Sequence, residues 1–535
     1  MKRILAATVA ATLATAGAVA CDDSSSPHTA DAPTTVVTSS GTLHGKTAGG
    51  TRQFTGVRYA KPPVGDLRWT LPQPPPDTTA DTDATGPGTP CQQSGKGALS
   101  GALTAPGEDC LFLNVTTPRR STQNTKLPVM VWWHGGGYTS GSGIAYDPQR
   151  LADTGNVAVV TVNYRLGVFG YLGLPGLAGS GDFGFADQLE SLRWVKKNAA
   201  AFGADPDNVT VFGESAGGMS TCAALTSPAA RGLIDKVAIS SGSCYLRFPT
   251  GAFYPGVPEQ TPYASLADNL TTGTDAARTL GCAGPNALRC LRALPADRLL
   301  TVNQDFTNDL AYGTDLLPHN PADAVRDGQT LRVPVISGGN HNEHRAFTGG
   351  VVLADPKAIT ATSYPGLLAA AFGDRAADVA RRYPLDRYAS APLAWATVIT
   401  DSGWSCATAR ANRALAAHGP VYGYEFADET APNVGGIDTP LVPQGATHAS
   451  DLPYLFDIAG KNLVPTPPRS DLSQRMIEYW TSFAHTGTPR ATNGPDWPRT
   501  DTDTRNALTF TASSIAMGDQ STDHQCDFWD TVTSP

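Results

Sequence analysis

The sequence predicts an α/β fold in which a mostly parallel central sheet is flanked by helices. Short runs of apolar and β-branched residues are typical of strands buried on both faces of a sheet. Such runs occur at residues 127–133, 157–164, 209–212, 236–239 and 333–336. Residues 185–202 instead space Leu189, Leu192 and Trp194 among polar residues, which indicates an amphipathic helix. Strands that alternate with helices in this way favour a parallel sheet covered on both sides.

The segments around this alternating core are less regular. Residues 36–38 and 41–45 indicate a β-hairpin, and residues 108–115 contain a further strand. Residues 251–329 are rich in helical and loop patterns, and we expect this large insertion to lie over the functional site. We find no internal repeat and no second domain, so residues 36–535 are predicted to form one domain.

The bulk composition argues against two classes of partner. Hydrophobic residues make up 41% of the 535, which is enough for a large core, and the formal net charge is −9. Acidic and basic residues are dispersed along the chain. Binding to nucleic acid or to an anionic membrane surface would call for a basic patch, so neither partner is expected.

The N-terminus carries the pattern of an export signal. Lys2 and Arg3 precede an apolar run at residues 4–20, which is slightly short for a membrane span and ends in an Ala-x-Ala cleavage pattern. Residues 1–20 are therefore predicted to be a signal peptide, and the polar residues 21–35 to be a disordered tether.

Cys21 directly follows the predicted cleavage site and leaves two localisations open. A lipid on this cysteine would anchor the protein to the outer face of the cytoplasmic membrane, as in bacterial lipoproteins. Ala18 stands where such proteins usually have Leu, so we favour simple secretion.

The remaining cysteines are even in number. Without Cys21 there are eight: Cys91, Cys110, Cys222, Cys244, Cys282, Cys290, Cys406 and Cys526. An even number in an exported protein suggests disulfides. None of them forms a Cys-x-x-Cys pair, so a zinc site is not expected from the cysteines.

The most informative stretch is the strand-like run at residues 209–212, which is followed by Gly-Glu-Ser-Ala-Gly at 213–217. Small residues two positions either side of Ser215 allow a strand to turn abruptly into a helix. Such a turn exposes the serine hydroxyl at a helix N-terminus, where negative charge is stabilised. A plain glycine-rich turn is the alternative, and the strand before the motif favours a nucleophile.

A glycine-rich loop follows the apolar run at 127–133. His134 leads into three glycines at 135–137, and a strand that stops there can expose several backbone N–H groups side by side. Those groups can hold an oxygen that becomes negative during acyl transfer. A flexible loop is the alternative, and the position upstream of Ser215 favours the anion site.

A serine nucleophile needs a base, and the base needs a carboxylate to orient it. In folds of this kind the chain order is serine, acid, histidine. Glu343 follows the predicted strand at 333–336 and so lies at a strand's carboxyl end, where such sheets place their sites. His341 and His344 lie in the same loop, but no metal-binding pattern accompanies them, and neither a metal nor a cofactor is expected.

Four histidines beyond the Glu343 loop could supply the base. They are His418, His448, His485 and His524. His448 lies in a loop before an apolar segment and is the best of the four by spacing.

Together these motifs resemble a type-B carboxylesterase of the cholinesterase/lipase-type α/β-hydrolase family. The resemblance extends over about residues 54–529, nearly the whole mature chain. Its matching segments are residues 62–68, 108–114, 134–137, 202–206, 213–218, the Glu343 loop, 448–453 and 483–489. It implies an α/β-hydrolase fold with large insertions over the active site and hydrolysis of small-molecule or lipid-like carboxylic esters.

The resemblance also implies roles for the matching catalytic residues. Ser215 would be the nucleophile of an acyl-enzyme mechanism, His448 the general base and then the acid, and Glu343 the orienting carboxylate. No cofactor is implied.

Further matches surround that triad. The backbone N–H groups of Gly136, Gly137 and Ala216 would form the oxyanion hole. Glu214 and Ser241 match supporting positions beside the triad.

Covalent and ionic links are implied in the same way. The family pattern pairs Cys91 with Cys110, Cys282 with Cys290, and Cys406 with Cys526. Cys222 and Cys244 are then left to pair with each other, although the family pattern does not specify that pair. Arg68 and Glu108 match a structural salt bridge.

Departures from the family pattern bear on the substrate. The loop between Cys91 and Cys110 has no aromatic residue, whereas cholinesterases place a tryptophan there to hold a quaternary ammonium. Choline esters are therefore not expected.

A lipase or polyesterase is one alternative to a carboxylesterase. A non-catalytic cell-surface binding protein is another, and the filled triad argues against it.

Overall fold

The computed structural model describes residues 31–94, 105–122, 124–502 and 506–533. The predicted signal peptide and Cys21 lie outside these ranges, as does most of the loop between Cys91 and Cys110. Ordered structure begins earlier than predicted, because Ala32 is buried and its N–H donates to Arg119 O at 3.0 Å. The last residues of the predicted tether, 31–35, therefore belong to the folded domain.

The described residues form eighteen strands, numbered here along the chain. They are β1 (Thr35–Thr38), β2 (Ser40–His44), β3 (Lys46–Ala48), β4 (Thr51–Arg58), β5 (Thr78–Asp83), β6 (Phe112–Pro118), β7 (Leu127–Trp133), β8 (Tyr146–Asp147), β9 (Ala158–Val162), β10 (Ala204–Glu214), β11 (Lys236–Ser240), β12 (Tyr263–Ser265), β13 (Leu310–Tyr312), β14 (Val335–Asn340), β15 (Val421–Phe426), β16 (Asp457–Ile458), β17 (Ala507–Phe510) and β18 (Ile515–Gly518).

Sixteen α-helices connect and cover these strands in the same ranges. They are α1 (Gln149–Gly155), α2 (Gly167–Tyr171), α3 (Phe183–Asn198), α4 (Ala216–Thr226), α5 (Leu266–Thr279), α6 (Ala287–Ala293), α7 (Ala296–Leu299), α8 (Pro321–Arg326), α9 (Arg345–Ala354), α10 (Tyr364–Phe372), α11 (Ala376–Arg382), α12 (Ala391–Ile399), α13 (Cys406–Ala416), α14 (Arg469–Thr486), α15 (Gln520–Asp523) and α16 (Cys526–Val532). Within the described chain, none of these helices has both the length and the apolar character to cross a membrane.

The central sheet is mostly parallel, as the sequence predicts. Its eleven strands follow the order β18-β17-β15-β14-β11-β10-β7-β9-β6-β4-β3. All neighbours from β17 to β9 run parallel. Antiparallel pairs occur only toward the two edges of this sheet. The carboxyl ends of β7, β10, β11 and β14 therefore lie side by side.

Both faces of the sheet are buried, which explains why its strands lack alternating polarity. Along β7, Val129 and Val131 pack into the hydrophobic core on one face, while Met130 and Trp132 pack into the core on the other. Because helices cover both faces, each strand position needs an apolar side chain.

Most predicted elements are present, with shifted ends. The predicted helix at 185–202 is α3, followed by a 3-10 turn at Ala199–Phe202. The strand predicted at 333–336 is β14, which begins only after Pro334, a residue with no N–H to donate to a neighbouring strand. The predicted hairpin at 36–45 is formed by β1 and β2.

Four disulfides link the described residues. Three are the pairs that the family resemblance implies, and the fourth joins Cys222 and Cys244, whose pairing the family pattern does not specify. Cys91–Cys110 and Cys282–Cys290 close short loops. Cys406–Cys526 joins α13 to α16 across 120 residues. Cys222–Cys244 ties α4 to the segment after β11. Disulfides are typical of proteins that fold in an oxidising compartment.

Two ion pairs, one partly and one fully buried, join distant segments of the fold. The predicted salt bridge is present, with Arg68 Nη2 at 2.5 Å from Glu108 Oε1. Arg165, after β9, forms a second pair in which Nη2 and Nε donate to the two carboxylate oxygens of Asp187 at 2.7 and 2.8 Å. The Asp187 side chain is fully buried, so its ionised carboxylate is stabilised by the Arg165 guanidinium.

We predict that Asp187→Ala lowers the free energy of unfolding by about 3–5 kcal/mol, because it leaves the Arg165 guanidinium buried without its counter-ion. Asp275→Ala is the matched control, since Asp275 pairs with Arg278 on the exposed surface of α5. The control should change stability by at most about 1 kcal/mol. Equilibrium unfolding in urea measures both, and equal losses for the two variants would contradict the prediction.

Candidate active site

Ser215 occupies the sharp turn between β10 and α4. Its backbone has φ 56° and ψ −124°, and α4 begins at the next residue, Ala216. A non-glycine residue at positive φ is strained, and such strain concentrates at functional sites. The Ser215 N–H donates to Ser240 O at 3.0 Å, which fixes the turn against the end of β11.

The glycines around Ser215 are required by crowding. A side chain on Gly217 would overlap Trp133 O at the end of β7. A Cβ on Gly213 would lie 2.5 Å from the Gly217 carbonyl carbon, and one on Gly218 would lie 2.6 Å from Ser240 O. The expectation that only small residues fit two positions either side of Ser215 is therefore confirmed.

His448 and Glu343 are in direct contact, although 105 residues separate them. His448 Nδ1 lies 2.5 Å from Glu343 Oε2. The other carboxylate oxygen, Oε1, accepts from the Ser241 hydroxyl at 2.5 Å and from the Asn340 N–H at 2.7 Å. Ser241 and Asn340 therefore hold the carboxylate that His448 Nδ1 contacts.

The other imidazole nitrogen faces the residue next to the serine. His448 Nε2 lies 3.2 Å from Oε1 of Glu214. No side-chain hydrogen bond among the described residues joins Ser215 Oγ to His448. Ser215 is 9% exposed and borders Gly135, where a Cβ would lie 2.9 Å from Ser215 Cβ.

Burial and charge act in opposite directions on this cluster. Burial lowers the pKa of His448, but the carboxylates of Glu214 and Glu343 outweigh it and raise this pKa to about 9. Burial raises the pKa of Glu214 to about 8 and that of Asp451 to about 6. Protonation of Glu214 removes a charge that favours the imidazolium, so the state of one group changes the pKa of the other.

The loop after β7 presents backbone donors beside this cluster. Gly136 and Gly137 have φ 110° and 58°, a region that favours glycine. Among the backbone hydrogen bonds of the described loops and turns, none is donated by either N–H, and Gly136 is exposed. The preceding His134 is buried with its Nδ1 2.8 Å from Gly135 O, and burial lowers its pKa to about 4.

The other three candidate histidines lie elsewhere. His485 is exposed and donates from Nε2 to Gly155 O at 3.0 Å. The His418 ring lies against Gly328. His524 is buried between the carboxylates of Asp401 and Glu425.

Two supporting groups carry no local sequence signal. Asn340 Nδ2 donates to Asp451 Oδ1 at 3.3 Å and to Ser241 Oγ at 3.3 Å. The Tyr424 hydroxyl donates to Ser240 Oγ at 2.7 Å. Asn340 comes from β14, the neighbour of β11, and Tyr424 comes from β15, the next strand, so only the strand order of the sheet could have revealed them.

Aromatic side chains and the large insertion surround the cluster. The rings of Phe347 and Trp404 each lie 5.0 Å from the His448 ring. From the insertion at 251–329, Asn303 Nδ2 donates to Thr139 O at 3.3 Å. The insertion therefore packs against the glycine-rich loop.

Comparison with known proteins identifies the family. The sequence model described as "Carboxylesterase family" matches residues 32–529. The chain belongs to the carboxylesterase family. It is 34% identical to the para-nitrobenzyl esterase of Bacillus subtilis over 490 residues, which cover 88% of this chain and 94% of that one. It is 31% identical to the human cocaine esterase, with 84% and 82% of the two chains covered.

Solved structures give the same assignment for this carboxylesterase. A thermophilic PNB esterase superposes with a TM-score of 0.76 at 29% identity, covering 92% of this chain and 100% of that one. The Geobacillus stearothermophilus carboxylesterase gives a TM-score of 0.75 at 29% identity, covering 92% and 99%. The fold is the α/β-hydrolase fold, and the protein is an enzyme that hydrolyses small-molecule carboxylic esters.

We predict that Glu214→Gln lowers the pKa of His448 by about 1 pH unit or more, because the substitution removes a carboxylate that stabilises the imidazolium. An NMR titration of the protein labelled in its histidine rings would measure this. Glu259→Gln, which removes an exposed carboxylate paired with Arg247, should leave the pKa unchanged. An unaltered pKa in Glu214→Gln would show that the 3.2 Å contact has no electrostatic effect.

Proposed function

We propose that this carboxylesterase acts through an acyl-enzyme formed on Ser215, with His448 as the base and Glu343 as the orienting carboxylate. The observation that carries the proposal is the 2.5 Å contact between His448 Nδ1 and Glu343 Oε2, beside the strained turn that holds Ser215. This arrangement leaves Nε2 as the nitrogen that can exchange a proton with the serine.

The reaction follows from these positions. Ser215 Oγ attacks the ester carbonyl while His448 Nε2 takes the hydroxyl proton. The resulting tetrahedral oxyanion collapses, the C–O bond to the alcohol breaks, and His448 returns the proton to the departing alkoxide. Water then attacks the acyl-enzyme by the same route, which releases the acid and restores Ser215.

Proton transfer requires the imidazole to move, because no side-chain hydrogen bond among the described residues joins Ser215 Oγ to His448. His448 Nε2 faces Glu214 Oε1 at 3.2 Å, and Ser215 is the next residue along the chain. We infer that Nε2 turns from Glu214 to Ser215 Oγ when substrate binds, while the Glu343 contact is kept. Catalytic hydrogen bonds commonly tighten only in the substrate complex.

The charge state of His448 also has a consequence. Only the neutral imidazole can take the serine proton, whereas the carboxylates of Glu343 and Glu214 favour the imidazolium. The same carboxylates stabilise the imidazolium that forms in the transition state. Activity should therefore rise as the pH increases through the pKa of His448.

The oxyanion hole is proposed from the unused donors. The N–H groups of Gly136 and Gly137 donate to no backbone acceptor in the described loops. The Ala216 N–H lies at the start of α4, where the partial positive charge of the helix adds to its effect. Fixed donors aimed at a developing negative charge cost little reorganisation during the reaction.

The substrate class follows from the walls of the site. The aromatic rings of Phe347 and Trp404 beside His448 favour esters with an apolar or aromatic group near the carbonyl. A relative named para-nitrobenzyl esterase supports p-nitrobenzyl and p-nitrophenyl esters as test substrates.

We further propose that the enzyme is exported, because four disulfides accompany the predicted signal peptide.

We predict that Ser215→Ala folds normally but loses turnover of p-nitrophenyl acetate by on the order of a millionfold, since no nucleophile remains. Ser470→Ala, at the start of α14, serves as the control and should retain full turnover. An organophosphonate should label the wild type and the control at Ser215 but should not label Ser215→Ala. A wild-type enzyme that hydrolyses esters while Ser215 stays unlabelled would refute the acyl-enzyme proposal.

We predict that Gly136→Ala lowers kcat by about 100-fold or more with a smaller change in KM, because the new methyl group overlaps Ser140 O and displaces the donors. Gly256→Ala is the matched control. Gly256 also has positive φ, at 87°, but a Cβ there meets open space. Steady-state kinetics of both variants measure the effect, and a kcat within a few-fold of wild type for Gly136→Ala would argue against this oxyanion hole.

A further inference from the structure

A second cluster of ionisable side chains lies where the loop that carries Glu343 meets β15. It consists of His341, Glu425 and His524, and we refer to it as the rear cluster. His341 Nδ1 lies 3.4 Å from Glu425 Oε1, and His524 Nε2 lies 2.6 Å from the same oxygen. One ligand atom from each residue falls within 4.8 Å of the other two.

We propose that the rear cluster is a binding site for one divalent transition-metal ion of the zinc type. Two imidazole nitrogens and one carboxylate oxygen form a donor set that Zn²⁺ accepts readily. Ligand atoms about 2.1 Å from a tetrahedral ion are about 3.4 Å apart, so the His341–Glu425 spacing already fits. The His524–Glu425 pair would open by less than about 1 Å, and the two imidazole nitrogens, which lie within 4.8 Å of each other, would approach by up to about 1.4 Å to hold the ion.

His341 supplies the strongest local argument. Its Nδ1 atom is buried without a hydrogen-bond partner of acceptable geometry, although it faces Glu425. A buried polar atom with no partner destabilises a fold, and a metal ion at this point would satisfy it. The His341 side chain is 34% exposed, which leaves access for the ion and room for a water as fourth ligand.

The partner of His524 has the form of a supporting contact in metal sites. His524 Nδ1 lies 2.6 Å from Asp401 Oδ1, so this carboxylate can hold the Nδ1–H and direct Nε2 toward the cluster. Asp401 Oδ2 in turn accepts from the Tyr383 hydroxyl at 2.7 Å. Ligating histidines nearly always donate their second N–H to such a group.

Charge balance supports the same reading. Asp401 and Glu425 place two carboxylates in the interior on either side of the His524 imidazole, and buried charge is costly unless it is balanced. A divalent cation with two neutral imidazoles neutralises both carboxylates. Binding would release any proton held on His524 Nε2 or His341 Nδ1 to solvent.

The ion would connect three parts of the chain. His341 follows β14, Glu425 belongs to β15, and His524 directly precedes the segment fixed by the Cys406–Cys526 disulfide. Because His341 and Glu343 share one loop, a bound ion would also hold the loop that presents the catalytic carboxylate. We therefore expect the metal to raise thermal stability rather than to take part in ester hydrolysis.

The test titrates Zn²⁺ into metal-stripped, full-length mature enzyme by isothermal calorimetry. We expect one equivalent to bind to the wild type, and Co²⁺ to show the visible absorption of a four-coordinate site. His341→Ala should fold, since that side chain is partly exposed, and should bind Zn²⁺ at least about 100-fold more weakly. His485→Ala, which removes an exposed histidine on α14, is the matched control and should bind as the wild type does.

Melting temperatures provide a second readout. Zn²⁺ should raise the melting temperature of the wild type and of His485→Ala, but not that of His341→Ala. Ser215→Ala should bind Zn²⁺ like the wild type, so failure of the proposed hydrolysis would leave this result unchanged. Absence of Zn²⁺ binding to the wild type, or equal affinities for the wild type and His341→Ala, would overturn the proposal in favour of a plain ion pair around His524.

Discussion

The close approach of α4 to the ends of β7 and β11 is the constraint on which the rest of the site depends. Gly217 and Gly218 lie so near Trp133 and Ser240 that neither position has room for a side chain. The helix can therefore begin one residue after β10, and Ser215 takes up the whole change of direction. Strain of this kind costs about 1–3 kcal/mol and persists only because packing on both faces of the sheet determines the turn.

Because the turn is rigid, the carboxyl ends of four adjacent parallel strands act as one platform. The loop after β7 supplies the N–H groups of Gly136 and Gly137, Ser215 follows β10, and Ser241 follows β11. The loop after β14 supplies Glu343, whose carboxylate is held by Ser241 and by the Asn340 N–H. Parallel strands bring together residues that are distant in sequence, so the chemistry can be distributed over more than 300 positions of the chain.

Burial and nearby carboxylates together determine the protonation state of His448. His448 is largely buried, which alone would disfavour its charged form, yet the carboxylates of Glu214 and Glu343 reverse that preference. The site therefore favours the imidazolium form of His448 over the neutral form.

Much of this could be predicted from the residues themselves. The strand at 127–133 coincides with β7, and the Gly-Glu-Ser-Ala-Gly motif locates the turn, because strand burial and turn geometry leave local signatures. The ends of elements were less predictable. β14 begins after Pro334, which has no N–H to donate to a neighbouring strand, and the folded domain begins before residue 36 because Ala32 pairs with the distant Arg119. The rear cluster was missed for a related reason, since His341, Glu425 and His524 lie far apart in the chain.

The sequence by itself determined the α/β class, the place of the serine in a strained turn, and the family to which the chain belongs. These features depend on residue types at short spacings, which local chemistry constrains. Only the tertiary structure decided which nitrogen of His448 meets which carboxylate, and that Glu214 faces Nε2 at 3.2 Å. Such contacts depend on the order and register of strands in the sheet, and these are set by packing over the whole domain.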